Sequence, residues 1–197
     1  MVNIASTVLL FVTARRYMEP APSLIAAISF LCFTLNSGVL GAFAHATHFV
    51  VLFGLAGFYV LLRPAKSLRW YDAVSAGLLF GCAFMMKQHA APFIAVAGVY
   101  LFWRLRSDTS VSVALKALSL ALFIVGVFVP FLVTCAVIWR AGVFDKFWFW
   151  TFEYAGAYVS KNPFAKIPGN LGSTLAVMLP TALFLWGLSI VGFAAMW

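Results

Sequence analysis

Long apolar runs separated by short basic connections make up most of the chain. The run between Asp72 and Arg104 holds thirty-one residues and one charged side chain, Lys87. Thirty-one helical residues would extend about 46 Å at about 1.5 Å per residue, well beyond the roughly 30 Å hydrocarbon core of a bilayer. The pattern therefore favours a helical hairpin, Trp70 to Gln88 and then Pro92 to Trp103, over a single crossing.

The other apolar runs predict further membrane spans. Thirty-nine residues from Leu24 to Leu62 carry no formal charge, and the small and polar residues near their middle predict a turn between two crossings. Pro130 lies within a later run and predicts a kink, because a neighbouring helix can satisfy the carbonyl that proline leaves free. Gly77 and Gly81 lie four residues apart in the first helix of the hairpin, and this small-xxx-small pair lets another helix approach closely. Besides the hairpin, the predicted spans are about Leu24 to Phe43, Phe49 to Leu62, Ala117 to Trp139 and Leu171 to Trp197, and Met1 to Ala14 is an apolar stretch that is short for a full crossing.

The composition is that of an integral membrane protein. Hydrophobic residues account for 64% of the chain and charged residues for 9%, with a mean hydropathy of +1.04. These values lie far outside the range of soluble domains. We therefore expect an all-α, polytopic bundle of six to seven transmembrane helices, with residues 1–197 forming one membrane domain.

The net charge of +8 indicates a membrane topology rather than a nucleic-acid partner, because most basic residues lie in short connections between apolar runs. With the hairpin counted as two crossings, eight basic residues fall on one side and five on the other. The positive-inside rule assigns the larger group to the cytoplasm. That group is Arg15, Arg16, Arg63, Lys66, Arg69, Arg104, Arg106 and Lys116, and the outer group is Lys87, Arg140, Lys146, Lys161 and Lys166.

A dense aromatic stretch follows the predicted span that contains Pro130. Eight aromatic residues lie between Phe144 and Tyr158, with Asp145, Lys146 and Glu153 among them. Aromatic residues at this density beside charges are typical of a helix that lies in the membrane interface. Their rings could instead stack on sugars or hold a polyprenyl chain.

Lys87 is the first candidate for chemistry. A cation at or just inside the membrane surface is costly, so it usually has a function or an anionic partner. Its ammonium group, with Gln88 and His89 as hydrogen-bonding neighbours, is suited to the phosphate or pyrophosphate of a lipid. The alternative is a lysine that simply extends to the lipid headgroups.

Two further groups of polar residues are candidates on the same outer side. His45 and His48 are three residues apart and would share a helix face, but no cysteine or clear carboxylate accompanies them, so no metal site is predicted. Asp145 and Glu153 are the acidic residues on the outer side, and either could act as a general base or remain solvated.

Cys32, Cys82 and Cys135 lie in apolar runs without paired spacing, and we expect them to be small buried hydrophobic residues. The sequence contains no P-loop, Gly-rich dinucleotide loop, HExxH motif or nucleophile elbow. No cofactor is therefore predicted, and a nucleotide-driven pump and a membrane protease are disfavoured.

Three stretches of the sequence form a recognisable set. They are Gly77-Leu-Leu-Phe-Gly-Cys-Ala-Phe-Met-Met-Lys87-Gln-His-Ala, then Ala44-His-Ala-Thr-His-Phe49 before a span ending in Arg63, and Phe147-Trp-Phe-Trp-Thr-Phe-Glu-Tyr154 with Tyr158. Together they resemble segments of the polytopic GT-C glycosyltransferases, in particular the family 39 or dolichyl-phosphate-mannose-protein mannosyltransferase-like group.

The resemblance implies transfer of a sugar from a polyprenyl-phosphate donor to an acceptor on the outer face, usually with inversion. It implies cationic groups that stabilise the departing lipid phosphate and an acidic general base in the first outer loop. The implied partners are the lipid-linked donor and membrane lipids, with no nucleic acid, and the implied location is a bacterial inner (plasma) membrane. The expected donor-binding residues are Lys87, Gln88, His89, His48, Tyr154 and Glu153.

The sequence departs from the family pattern at the general base. No acidic residue precedes Arg15, and Glu19 falls on the predicted cytoplasmic side. We therefore expect the catalytic acid to lie upstream of Met1, and the chain to be an internal piece of a longer enzyme. Two other functions stay open, a transporter or flippase for an amphiphilic anion that uses Lys87, and a non-catalytic membrane scaffold.

Overall fold

The computed structural model of the chain describes residues 1–35, 39, 41, 43, 45–63, 69–160, 167–181 and 183–194, and these form helices without a strand. The all-α prediction is therefore confirmed for this part. A 3₁₀ turn (Gln88–Ala90) joins α4 to α5, and a π-helical turn (Phe149–Glu153) joins α7 to α8. The helices are α1 (Val2–Ala14), α2 (Pro20–Thr34), α3 (Ala46–Leu61), α4 (Trp70–Met86), α5 (Ala91–Ser107), α6 (Val113–Arg140), α7 (Phe144–Trp148), α8 (Tyr154–Ser160), α9 (Ile167–Thr181) and α10 (Leu183–Ala194).

The helices α4 and α5 form the predicted hairpin. At the end of α5, the Arg104 guanidinium donates hydrogen bonds to the backbone carbonyls of Leu61 and Arg63. The Arg63 side chain in turn pairs with Asp72 in the first turn of α4, at 3.1 Å. Because the last turn of α5 lies beside the first turn of α4, the two helices are antiparallel and the Lys87 turn lies at the opposite end of the bundle.

The C-terminal end of α3 is the place where the basic connections converge. The last carbonyls of a helix lack partners within it and carry the negative end of its dipole, so hydrogen-bond donors and cations stabilise them. Arg16, Tyr17 and Arg104 donate hydrogen bonds to carbonyls between Tyr59 and Arg63, and the Arg16 guanidinium also lies 3.5 Å above the Tyr59 ring. These residues therefore share one end of the bundle, as expected, whereas Lys66 lies outside the described residues.

The helices α4 and α6 run in the same direction and cross at glycines. A Cβ atom on Gly77 would lie 2.3 Å from the Phe123 carbonyl oxygen, and one on Gly81 would lie 2.4 Å from that of Val127. Small residues four apart permit this backbone approach. The close helix contact predicted at this glycine pair is therefore observed, with α6 as the partner, and α6 continues through Pro130 as one helix.

The buried core lies around this crossing. Phe80 on α4 is fully buried and makes edge-on ring contacts with Phe58 of α3 and Phe123 of α6, at centroid distances of 5.1 and 6.1 Å. Leu61 and Leu101 are also fully buried in this cluster. The core thus joins α3, α4, α5 and α6 and holds the hairpin in place.

The number of membrane spans expected from the sequence is not established. Within the described residues, α6 is the one helix long and apolar enough to cross a bilayer, with 28 residues. The apolar helices α1 to α4 have 13 to 17 residues, shorter than or at the lower limit of the roughly 17 to 25 that a crossing requires. The predicted last span, about Leu171 to Trp197, covers most of α9 and all of α10.

The cysteines differ in part from expectation. Cys82 and Cys135 are half-buried, whereas Cys32 is exposed, so the prediction of a buried residue is wrong for Cys32. The reason is the position of α2, whose main contact is with α1 on one side, leaving other faces of the helix uncovered.

Candidate functional site

The turn of the hairpin presents Lys87 at the end of α4. Lys87 has an extended backbone, with φ −164° and ψ 136°, and this conformation ends the helix. After the 3₁₀ turn, Pro92 occupies the second position of α5, where its missing N–H would have had no partner in the helix. A cation at the C-terminus of α4 also interacts favourably with the helix dipole.

A cleft of about 390 Å³ lies beside this turn. One wall is formed by the end of α4 and the turn, including Lys87, Gln88 and His89. The aromatic segment, residues 144–160, supplies the facing wall, with Phe131 of α6 as a further lining residue. The structure therefore places three of the six predicted donor-binding residues around one cavity.

Lys87 is available to an anion from outside the chain. Its side chain is half-buried, and Gln88 and His89 are exposed. Among the described residues, the structure shows no hydrogen bond or ion pair to the Lys87 ammonium, and the one ion pair joins Arg63 to Asp72 at the other end of the bundle. A half-buried cation without an internal counter-ion favours binding of an external anion.

An apolar groove of about 500 Å³ adjoins the cleft. It lies between α4 and α5 on one side and α6 on the other, and apolar side chains alone line it. Phe84, Phe131 and Phe152 line both cavities, so the groove and the cleft share a boundary. Together the two cavities would suit an amphiphile with an apolar chain and an anionic head.

His48 lies at the same end of the bundle but does not line the cleft. Val50 near the start of α3 packs against Ala83 and Ala90, which brings this end of α3 close to the hairpin turn. His48 is buried, and its ring is edge-on to that of His45 at a centroid distance of 6.4 Å. Among the described residues, no group of three or more His, Cys, Asp or Glu side chains is arranged to hold a metal.

Glu153 and Tyr154 are also not among the residues that line the cleft, although Phe152 and Ala155 on either side of them are. Glu153 is exposed and lines a separate groove of about 440 Å³ with Asp145 and the rings of Phe144 and Trp148. Tyr154 is exposed, and its ring packs against that of Trp150 at 5.1 Å. Their predicted contact with the donor stays a prediction, as does that of His48, and the side chain of Tyr158 lies outside the described part.

Sequence patterns indicated an aromatic stretch on the same outer side as Lys87, but not which of its residues face the cleft. Phe131, Thr151 and Phe152 line it, and the Gln88 side-chain amide donates a hydrogen bond to the Thr151 carbonyl oxygen at 3.0 Å. Thr151 lies in the π-helical turn, which widens the helix locally. No characteristic residue pattern marks such a turn in the sequence. The available signals were the density of aromatic residues between Phe144 and Tyr158 and the glycine pair on α4, which predicted a close neighbouring helix without showing which one.

The comparisons with known proteins concern mainly the first two thirds of the chain. A family model described as dolichyl-phosphate-mannose-protein mannosyltransferase matches residues 1–134, which include Lys87, Gln88, His89 and His48. The aromatic segment lies beyond the match. No curated protein and no solved structure gives a significant match. Because the family model covers more than half of the chain, the protein belongs to the dolichyl-phosphate-mannose-protein mannosyltransferase family of GT-C type membrane glycosyltransferases.

Proposed function

We propose that the chain is a membrane module of a glycosyltransferase that takes its sugar from a polyprenyl-phosphate donor and transfers it to an acceptor on the extracytoplasmic face. Lys87 binds the donor phosphate, and the adjoining groove holds the first part of the polyprenyl chain. The observation that carries this proposal is the half-buried Lys87 cation at the boundary of an all-apolar groove. Use of lipid-linked sugar donors in the family supports it.

The chemistry assigned to Lys87 follows from charge development. As the bond from sugar to phosphate breaks, negative charge grows on the departing phosphate, and an ammonium group held next to it stabilises that charge. Gln88 and His89 line the same cleft and add hydrogen bonds. The carboxylates of Asp145 and Glu153 are not among the cleft's lining residues, so the general base is not assigned within this cavity.

Binding of a polyprenyl monophosphate to the chain in lipid nanodiscs tests the proposal directly. Lys87→Ala should weaken binding by about 10- to 100-fold, because a hydrogen bond to a charged group contributes about 1.5 to 3 kcal/mol. Lys87→Arg should retain most of the affinity, since the cation remains. Lys116→Ala is the matched control, because Lys116 lies at the start of α6, at the opposite end of the bundle.

The same experiment can contradict the proposal. The corresponding polyprenol, which lacks the phosphate, should bind at least tenfold more weakly to the unaltered chain. Equal affinity for the alcohol and the phosphate, or unchanged affinity in Lys87→Ala, would show that Lys87 does not bind the head. In the intact enzyme, Lys87→Ala should also abolish sugar transfer while circular dichroism stays unchanged.

A second function would use the same cavity. A transporter or flippase for an amphiphilic anion also requires an apolar groove that ends at a cation. Movement of polyprenyl phosphate across reconstituted vesicles without any glycosylated product would favour this alternative.

A further inference from the structure

We propose that the aromatic segment is a lid over the Lys87 cleft, held shut by the side chain of Gln88 and released when an anionic lipid head binds. The inference rests on the proposed function for the identity of the lipid. The lid itself rests on the contacts, the backbone and the exposure of the segment. Its consequence is a binding order, in which the donor enters first and the acceptor gains access only afterwards.

The segment meets the body of the protein at the cleft through ring contacts. Phe147 and Phe152 contact Phe131 of α6 at centroid distances of 6.4 and 6.0 Å. Aromatic rings on the other faces of the segment, such as Trp150 and Tyr154, are more than half exposed. Because the contacting rings are all phenylalanines, the segment can separate from α6 without leaving buried polar groups unpaired at this contact.

The chain turns from α6 into the segment at Gly142, where the N–H groups of Gly142 and Val143 donate hydrogen bonds to the carbonyls of Trp139 and Ile138 and end the helix. Gly142 has a positive φ of 70°, and a Cβ atom there would meet nothing within 4 Å. Glycine adopts this backbone region without the steric cost that other residues bear. The chain can therefore change direction at Gly142 without displacing a packed side chain.

The latch is the hydrogen bond from the Gln88 amide to the Thr151 carbonyl oxygen. It joins the hairpin turn to the middle of the segment across the cleft, and its acceptor lies in the π-helical turn. Gln88 is also the residue next to Lys87. A group bound to the Lys87 ammonium is therefore within the immediate neighbourhood of the latch.

An anionic head competes for the latch. A phosphate oxygen bearing charge accepts a hydrogen bond roughly twice as strong as a neutral carbonyl does. When a lipid phosphate binds Lys87, the Gln88 amide turns from the Thr151 carbonyl to the phosphate, and the segment is released at its centre. The empty cleft is thus the closed state, and the loaded cleft is the state that opens to an acceptor.

Distance measurement by pulsed electron–electron double resonance between two spin labels in nanodiscs tests this mechanism. Spin labels are attached at Gly156→Cys on the segment and at Val96→Cys on the exposed face of α5, with the three native cysteines replaced by alanine. The labelled chain that keeps Gln88 should give one short distance between the two labels without ligand. Gln88→Ala should add a longer distance without ligand, and polyprenyl monophosphate should add the same longer distance to the chain that keeps Gln88.

Asn3→Ala is the matched control. The Asn3 amide also donates to a backbone carbonyl, that of Gly41, at 2.7 Å and in another part of the bundle. Its removal should leave the distance between the labels unchanged. Polyprenol should also leave it unchanged, because the alcohol lacks the charged oxygen that competes with Thr151.

Each result bears on one of the two proposals. A single short distance in Gln88→Ala, or opening by polyprenol, would overturn the latch. Opening in Gln88→Ala together with no binding of polyprenyl monophosphate would keep the lid and overturn the proposed function. Binding of polyprenyl monophosphate without a longer distance would keep the proposed function and overturn the lid.

Discussion

Asp72 is the residue that organises the end of the bundle opposite Lys87. Its carboxylate is buried, and it accepts hydrogen bonds from the Arg63 guanidinium at 3.1 Å and from the Arg69 backbone N–H at 3.3 Å. An acid in the first turn of a helix pairs with otherwise unsatisfied N–H groups there and with the positive end of the dipole. Asp72 therefore both starts α4 and connects it to the end of α3.

Asp72→Ala should lower the free energy of unfolding by about 1 to 2 kcal/mol, because the start of α4 loses the carboxylate that caps it. Half of the Arg63 side chain is exposed, so solvent screens the ion pair and most of the loss comes from the start of the helix. Thermal unfolding in detergent, followed by circular dichroism, measures the change. Asp145→Ala removes an exposed acid and should stay within about 0.5 kcal/mol of the unaltered chain; equal stability of the two variants would contradict the role of Asp72.

Single residues could be predicted from the sequence where they interrupt a pattern. Lys87 is the one charge in an apolar run of thirty-one residues, and the structure places it at the predicted turn. Glu153 and Tyr154 offered no such signal. A π-helical turn closes its hydrogen bonds over one more residue than an α-helical turn, so it rotates every side chain that follows. Glu153 therefore meets Asp145 in a separate groove, which an α-helical wheel would not indicate.

Among the elements, the contact between α4 and α6 depends most on particular residues. Gly77, Gly81 and Gly126 bring the two backbones so close that the atoms facing a new Cβ would be carbonyl oxygens. A backbone oxygen cannot rotate away as a flexible side chain can. The crossing therefore requires glycine because of the space, while the backbone angles at these helical positions are ordinary.

Gly77→Ala should destabilise the protein by about 1 to 2 kcal/mol. The clash with the Phe123 carbonyl costs about 1 to 3 kcal/mol, and the better helix propensity of alanine recovers up to about 1 kcal/mol. Gly187→Ala in α10 is the control, because nothing lies within 4 Å of its added Cβ. It should be as stable as the unaltered chain or slightly more so, and thermal unfolding at matched detergent concentration compares the two; a Gly77→Ala melting temperature as high as that of the control would refute the proposed clash.

The sequence could predict that α4 has a close neighbour but could not predict which helix it is. Two glycines four residues apart indicate a flat helix face, and any apolar helix can pack there. The partner begins at Val113, after the whole of α5, and only the three-dimensional packing brings Phe123 and Val127 to that face. For the same reason Phe131 could not be assigned to the cleft in advance.

The whole molecule has two chemically different ends. One holds Asp72 and the arginines around the last turn of α3, and the other holds the Lys87 turn and the aromatic segment. The all-α class could be predicted from composition, since few charges and high hydropathy indicate a membrane protein. A helix satisfies its backbone hydrogen bonds internally, as a membrane-spanning segment must. The number of spans could not, because α1 to α4, with 13 to 17 residues, are at or below the length that a bilayer crossing requires.

Cysteine accessibility in intact cells or sealed vesicles tests the orientation of the two ends. In a chain whose native cysteines are replaced by alanine, His89→Cys should react with a membrane-impermeant maleimide from the extracytoplasmic side. Thr109→Cys, in the connection after α5, should react only after the membrane is permeabilised. Labelling of both positions from one side would refute the hairpin topology, and reversed labelling would refute the assignment of the basic end to the cytoplasm.

The carbonyls at the end of α3 accept hydrogen bonds from three side chains in two separate parts of the chain, Arg16 and Tyr17 after α1 and Arg104 in α5, and this anchoring has a practical consequence. We expect the basic end of the bundle, around the last turn of α3, to stay fixed when a lipid binds. The structural change is then confined to the aromatic end, formed by the Lys87 turn and the aromatic segment, and the core does not repack. Antibody fragments raised against the basic end should bind the protein equally well with and without bound lipid. Fragments that distinguish the lipid-free from the lipid-bound protein should bind only at the aromatic end.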